Sequence, residues 1–181
     1  MDKHRLAEFK NAIKEIASDP EKSIPDQEAF ELIHQIVPWP AAEVGVFNSD
    51  GELLLHHRHF KEWPGEWAHI NGWYIPGGYM KPGGSLEDWC HTHLRKDGML
   101  SPVHFLETCG VIKWMPGEHP FSNLISIACV CMLEKDTLEF RPGEENRFRF
   151  FNKAVDSPVP HHTELQEMFF KWRDAHPESF R

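Results

Sequence analysis

Trp73-Tyr74-Ile75-Pro76-Gly77-Gly78-Tyr79-Met80-Lys81-Pro82-Gly83-Gly84-Ser85-Leu86-Glu87-Asp88 places a strand, two glycine turns and the start of a helix in one run. The aromatic and aliphatic triplet Trp73-Tyr74-Ile75 reads as a short strand that ends at Pro76-Gly77-Gly78. Glycines without a Cβ let bare backbone come close to a phosphate or a metal. Ser85 then stands where an N-cap belongs, and residues 85 to 97 are predicted helical. A glycine-rich turn between strand and helix is a common way to bind phosphate, so the wider chain has to narrow the reading.

Upstream, Glu43 to Phe47, then Asn48-Ser49-Asp50-Gly51, then Glu52 to His56 reads as strand, turn and strand, a hairpin with Asp-Gly chemistry. A loop rich in tryptophan and glycine, Trp63-Pro64-Gly65-Glu66-Trp67, leads on to Trp73. Nearer the start, Leu6, Phe9, Ile13 and Ile16 recur at helical spacing, predicting a helix over residues 3 to 18. Ser23 and Asp26 resemble a capping box, and Phe30, Ile33 and Val37 continue a second helix to Pro38. Downstream, strands are predicted at 103 to 113, 124 to 134 and 147 to 151, followed by a helix with Leu165, Met168, Phe169 and Trp172 along its apolar stripe. The expected organisation is two N-terminal helices over 1–38 packing on a main domain over 39–181, one structural unit overall.

The 181 residues fit one ordinary domain, and 40% apolar content can fill one core. A net charge of -9 argues against a protein held on nucleic acid by bulk electrostatics, which needs a basic face. A small phosphate compound needs only a few local donors. The longest apolar run, around Leu124 to Leu133, is far shorter than the ~20 residues of a membrane span, and no signal peptide opens the chain. A cytoplasmic location without a membrane partner is therefore expected. Cys90, Cys109, Cys129 and Cys131 show neither C-x-x-C spacing nor the density of a disulfide scaffold, and Cys129 and Cys131 are expected to pack as small apolar residues.

Thirteen histidines and seven tryptophans are the unusual features of the composition. His56, His57 and His59 alternate between the two faces of a strand, so they cannot all serve one site, and one is expected to line it. Cys90, His91 and His93 give no established zinc spacing. His161-His162-Thr163 stands at the start of the last helix and reads as a cap. Trp63 and Trp67, set in a Pro/Gly loop, are candidates to stack a nucleobase.

In this context the glycine-rich run resembles the opening of a Nudix box, G-x5-E-x7-R-E-U-x-E-E-x-G-U with U aliphatic. With the first glycine on Gly78, the first glutamate position holds Gly84, the arginine position Thr92 and the next glutamate position His93. Leu94 keeps the aliphatic position, Lys96 and Asp97 replace the closing acidic pair, and Met99 takes the late glycine's place one residue after Gly98. The resemblance implies an α/β (α+β) Nudix fold, an α/β/α sandwich with a mixed, partly curled sheet. In that family, carboxylates on the box helix hold a divalent cation against a diphosphate. Here the face keeps His93 and Asp97, four residues apart, which can hold a cation, Mn²⁺ or Zn²⁺ in preference to Mg²⁺, or else form an exposed ion pair on the helix.

From about Pro25 to Trp172 the chain is similar to the GDP-mannose mannosyl hydrolase branch, on the helix Asp26 to Ile36, Leu53-Leu54-Leu55 followed by Arg58, and Trp73 to Gly78. That likeness implies hydrolysis of a nucleoside-diphosphate derivative, a nucleotide sugar such as GDP-mannose, with one divalent cation and a histidine base. It sets the metal between the Gly77 carbonyl and Asp97, with His93 beside them, and turns Arg58 toward the diphosphate. Tyr79 replaces a second phosphate-binding arginine, with Lys81 as its nearest substitute; Glu43 falls on a strand acid of the branch, and His119 is the nearest candidate base. With Trp67 these residues form the expected substrate site, and the likeness also implies a homodimer. A second class stays open, because Gly84, Thr92 and Lys96 remove standard machinery: a Nudix-fold ligand-binding or regulatory module without turnover. A third is a structural domain that binds a partner through its first helix.

Overall fold

The computed structural model describes residues 39–59, 71–80, 83–114, 124–135 and 137–180, together with residues 4, 5, 7, 8 and 11, which are helical. The rest of the first predicted helix and the whole of the second lie outside the described residues. The strands and longer helices are β1 (Trp39–Phe47), β2 (Leu53–His59), β3 (Asn71–Tyr74), β4 (Gly77–Tyr79), α1 (Leu86–Asp97), β5 (Val103–Lys113), β6 (Leu124–Leu133), β7 (Phe148–Phe151) and α2 (Pro160–Ala175). Among the described residues no helix is long and apolar enough to cross a membrane.

The strands form one mixed sheet in the order β3-β2-β1-β6-β5, with β4 paired to β1 and β7 paired to β2. β1 runs parallel to β6 along its whole length, from Trp39 opposite Leu124 to Phe47 opposite Met132. Every other pairing is antiparallel. The Asn48–Gly51 turn forms as the sequence predicts: Asn48 Oδ1 accepts from the Glu52 amide at 2.8 Å, and Gly51 takes a φ of 73°. The hairpin it joins is nevertheless short, because β1 and β2 meet only at Phe47 and Leu53. Beyond that pair β4 takes the place beside β1, with Ala42 opposite Gly78 and Glu43 opposite Gly77. The Gly-Gly pair, read from the sequence as a turn after a strand, is itself a strand.

Alternation along β1 sorts the core into two layers. Ala42, Val44 and Val46 face α1 and pack with Leu54, Cys90, Leu94, Cys129, Cys131 and Phe148. Phe47 faces α2 and packs with Leu53, Leu55, Val130, Leu165, Phe169 and Trp172. Cys90, Cys129 and Cys131 are buried free thiols in the first layer, in keeping with their reading as small apolar residues. A Cβ at Gly45 would overlap the Phe169 ring, so that glycine lets α2 lie close on the sheet. Helix α2 begins at Pro160, in the first helical turn where its missing N–H costs nothing. No side chain caps it, and His162 serves otherwise: its Nδ1 accepts from the Ile75 amide at 3.3 Å and ties the helix to the end of β3.

Candidate functional site

Helix α1 is anchored at its start by a reciprocal cap, in which the Asp88 amide donates to Ser85 Oγ at 3.1 Å and the Ser85 amide donates to Asp88 Oδ2 at 2.8 Å. It ends at Gly98, whose φ of 105° is the left-handed conformation that closes such helices. Fixed at both ends, the helix directs His93 and Asp97 at the sheet. His93 is only 4% exposed, and the Asp97 side chain 11%. The exposed helical ion pair weighed for these two residues is therefore not formed.

Arg58 and His56 reach the same place from β2, two residues apart and so on one face. Arg58 Nη2 donates to Asp97 Oδ2 at 2.5 Å and, more weakly, to the Gly77 carbonyl at 3.4 Å. Its Nε donates to His56 Nδ1 at 3.2 Å. His56 Nδ1 also lies 3.6 Å from Asp97 Oδ2, and the imidazole stacks on Phe148 with ring centroids 4.4 Å apart. Of the three clustered histidines His56 is the one that faces this cluster, whereas His57 packs edge-on against Trp73. The His59 side chain lies outside the described residues.

On the opposite face of β1 a second polar chain is buried. Trp114 Nε1 donates to Ser126 Oγ at 2.9 Å, and Ser126 donates onward to Glu43 Oε1 at 3.2 Å. The two sets meet at Gly77, whose carbonyl accepts from Arg58 while a Cβ on it would collide with the Glu43 carboxyl. Gly78 performs a similar service, since a Cβ there would stand 2.9 Å from the His93 ring. Each glycine of the pair thus admits one ionisable side chain, which explains physically why the motif needs two in succession.

These environments move the charges in opposite directions. Burial pushes Glu43 up to about 8, against the smaller opposing pull of Arg58, so the carboxyl keeps its proton at neutral pH. Burial also disfavours the Asp97 anion, but the Arg58 guanidinium overcomes it and holds Asp97 down at about 2. His93 is pushed down to about 4, first by burial. Burial lowers His56 too, partly offset by Asp97. The Tyr79 hydroxyl, raised by burial and then by Glu43, stays protonated. What remains is one cation, Arg58, paired with one anion, Asp97.

The structure thus brings Glu43, Arg58, Gly77, Tyr79, His93 and Asp97 into one neighbourhood on β1, β2, β4 and α1. Lys81, Trp67 and His119, with Trp63, lie outside the described residues. Ser126 is a participant that the sequence reading missed, and the hydrogen-bonding role of Trp114 is another. Their signals were a lone hydroxyl inside the apolar β6 run and an indole N–H that needs an acceptor when buried.

These residues do not fit a divalent cation. Asp97 is the one ionised carboxylate of the cluster and is already paired with Arg58, Glu43 holds its proton, and the Gly77 carbonyl accepts from the same guanidinium. Among the described residues no group of three or more His, Cys, Asp or Glu side chains is placed to hold a metal. A hard cation needs several oxygen ligands with surplus negative charge, and this cluster has none to spare.

No protein family and no curated protein matches the sequence. Solved structures do match. A UDP-X diphosphatase is 14% identical over 96% of this chain and 82% of its own, with a TM-score of 0.57. A MutT protein from Methanosarcina mazei Go1 is 17% identical over 76% of this chain and 97% of its own, also at 0.57. The NUDIX domain of Shewanella oneidensis NrtR, complexed with ADP ribose, is 14% identical over 86% of this chain and 97% of its own, at 0.51. The chain has the Nudix fold, with a mixed seven-strand sheet between helices.

Proposed function

We propose that the protein binds a nucleoside-diphosphate derivative at the Arg58 cluster and acts as a Nudix-fold ligand-binding or regulatory module. The observation that carries this reading is the Arg58–Asp97 pair, which uses the surviving helix carboxylate to hold a guanidinium. Arginine suits an anion with paired oxygens, since its planar fork donates in a fixed geometry. Support for the ligand class comes from the fold, one of whose solved examples carries ADP ribose.

A second reading is a divalent-metal-dependent hydrolase of a nucleotide sugar, GDP-mannose among them, with Arg58 and Lys81 on the phosphates. Glu43 favours it, because a carboxyl still protonated near neutral pH can serve as a general acid. The two readings part on turnover. Purified protein is to be titrated calorimetrically with ADP-ribose, UDP-glucose and GDP-mannose, then incubated with each in Mg²⁺, Mn²⁺ or Zn²⁺ while sugar and nucleotide release are followed. Binding without turnover is expected. Steady release of sugar or nucleotide monophosphate would establish the hydrolase instead, and absence of binding to every compound would remove both readings.

A further inference from the structure

We propose that Arg58 is the resident cation of this site: its guanidinium occupies the place between Asp97 and the Gly77 carbonyl, so that a diphosphate binds without a divalent ion. The inference rests on the ligand class proposed above and goes beyond it by assigning how the charge is met. A single nitrogen, Nη2, engages both acceptors, Asp97 Oδ2 at 2.5 Å and the Gly77 carbonyl at 3.4 Å. A metal held by these two groups would have to stand where that nitrogen stands.

The rest of the side chain is fixed in the same sense. Nε donates to His56 Nδ1 at 3.2 Å, which requires that nitrogen to be unprotonated and so leaves no imidazolium to compete for the ligand. Nη1 has no hydrogen-bond partner among the described residues, and the Arg58 side chain remains 22% exposed. Three contacts therefore hold the plane, and the Nη1 amino group, with its two N–H donors, stays open to a phosphate oxygen. Admitting a divalent ion would oblige Asp97 to release Arg58 and set the guanidinium beside a second positive centre, with Glu43 protonated and unable to compensate. Lys96 lies on the exposed side of the helix.

The two alternatives predict opposite consequences for one substitution. In Asp97→Asn the amide oxygen can still accept from Nη2, so Arg58 stays in place while the neighbouring negative charge disappears. A metal ligand changed in this way loses its ion. A buttress changed in this way leaves the guanidinium with more attraction for an anion.

The test is calorimetric titration of the intact protein with ADP-ribose and with inorganic pyrophosphate, each in EDTA and in Mn²⁺. Wild type is expected to bind ADP-ribose equally in both conditions, and Asp97→Asn to bind at least as tightly. Arg58→Gln leaves Asp97 buried without its partner and endangers folding, so the double variant Arg58→Gln/Asp97→Asn, which retains a neutral pair, carries the loss arm. It is expected to bind about tenfold more weakly or worse, the range for a lost hydrogen bond to a charged group. Binding that requires Mn²⁺ and disappears in Asp97→Asn would overturn the inference while leaving the proposed ligand class intact. No binding by wild type in either condition would remove the ligand class, and the inference with it.

Discussion

Glu43 and Asp97 are both carboxylic acids, yet their surroundings give them opposite linkage to pH. Glu43 holds its proton to about 8 in the folded state against an ordinary 4.5, so its contribution is fully present below 4.5 and is lost as pH rises through 8. Asp97 behaves inversely: its contribution is present above 3.8 and is lost as pH falls through about 2. His93 adds to the acid side, because its depressed value means that stability declines as pH falls from 6.5 through about 4. Thermal unfolding followed across pH should therefore show highest stability between these arms. Glu43→Gln is expected to remove the decline toward pH 8 and to leave the acid decline unchanged. An alkaline arm identical to wild type would mean that Glu43 ionises no differently on folding. None of this was legible beforehand in numerical form. The sequence pointed to Glu43, Arg58 and Asp97 through their places in a motif, but their partnership spans 39 residues between Arg58 and Asp97 and no local pattern encodes it.

Helix α1 and strand β4 form a single seat, and the seat has no spare volume. Gly78→Ala would bring a methyl group to within 2.9 Å of the His93 ring, so it is expected to cost about 1–3 kcal/mol in denaturant unfolding, as overpacked cores do. Combining it with His93→Ala should recover part of that loss, because the two positions share one space and their effects cannot simply add. Additive costs would show that the clash lies elsewhere. Elements with a strong internal rhythm are readable in the sequence: β5 spans 103–113 as the pattern predicts, and Ser85 caps the start of α1. β4 is not, since its three residues, Gly77–Tyr79, have no alternation to detect, and its ladder is made with β1, far earlier in the chain. The hairpin forms at the turn the sequence predicts but pairs less than its strands suggest, because β4 takes the side of β1 that a longer hairpin would occupy.

Across the whole molecule, α2 is held to the sheet by Phe169, which fills the space that Gly45 leaves open. Phe169→Ala is expected to lower stability by about 3–5 kcal/mol in equilibrium unfolding, the usual cost of emptying an aromatic site in a core. A change within experimental error would mean that α2 contributes little to the cooperative unit. Fold class was legible at this scale because glycine turns, strand runs and two amphipathic helices agree with one another. The parallel ladder between β1 and β6 has a different consequence, one that concerns synthesis. β1 is finished at Phe47, but its long partner starts only at Leu124. On the ribosome, a nascent chain must carry the β6-facing backbone edge of β1 unpaired until β6 has been translated, and closing so wide a loop is entropically slow. During that interval the central strand is a natural client for a holding chaperone.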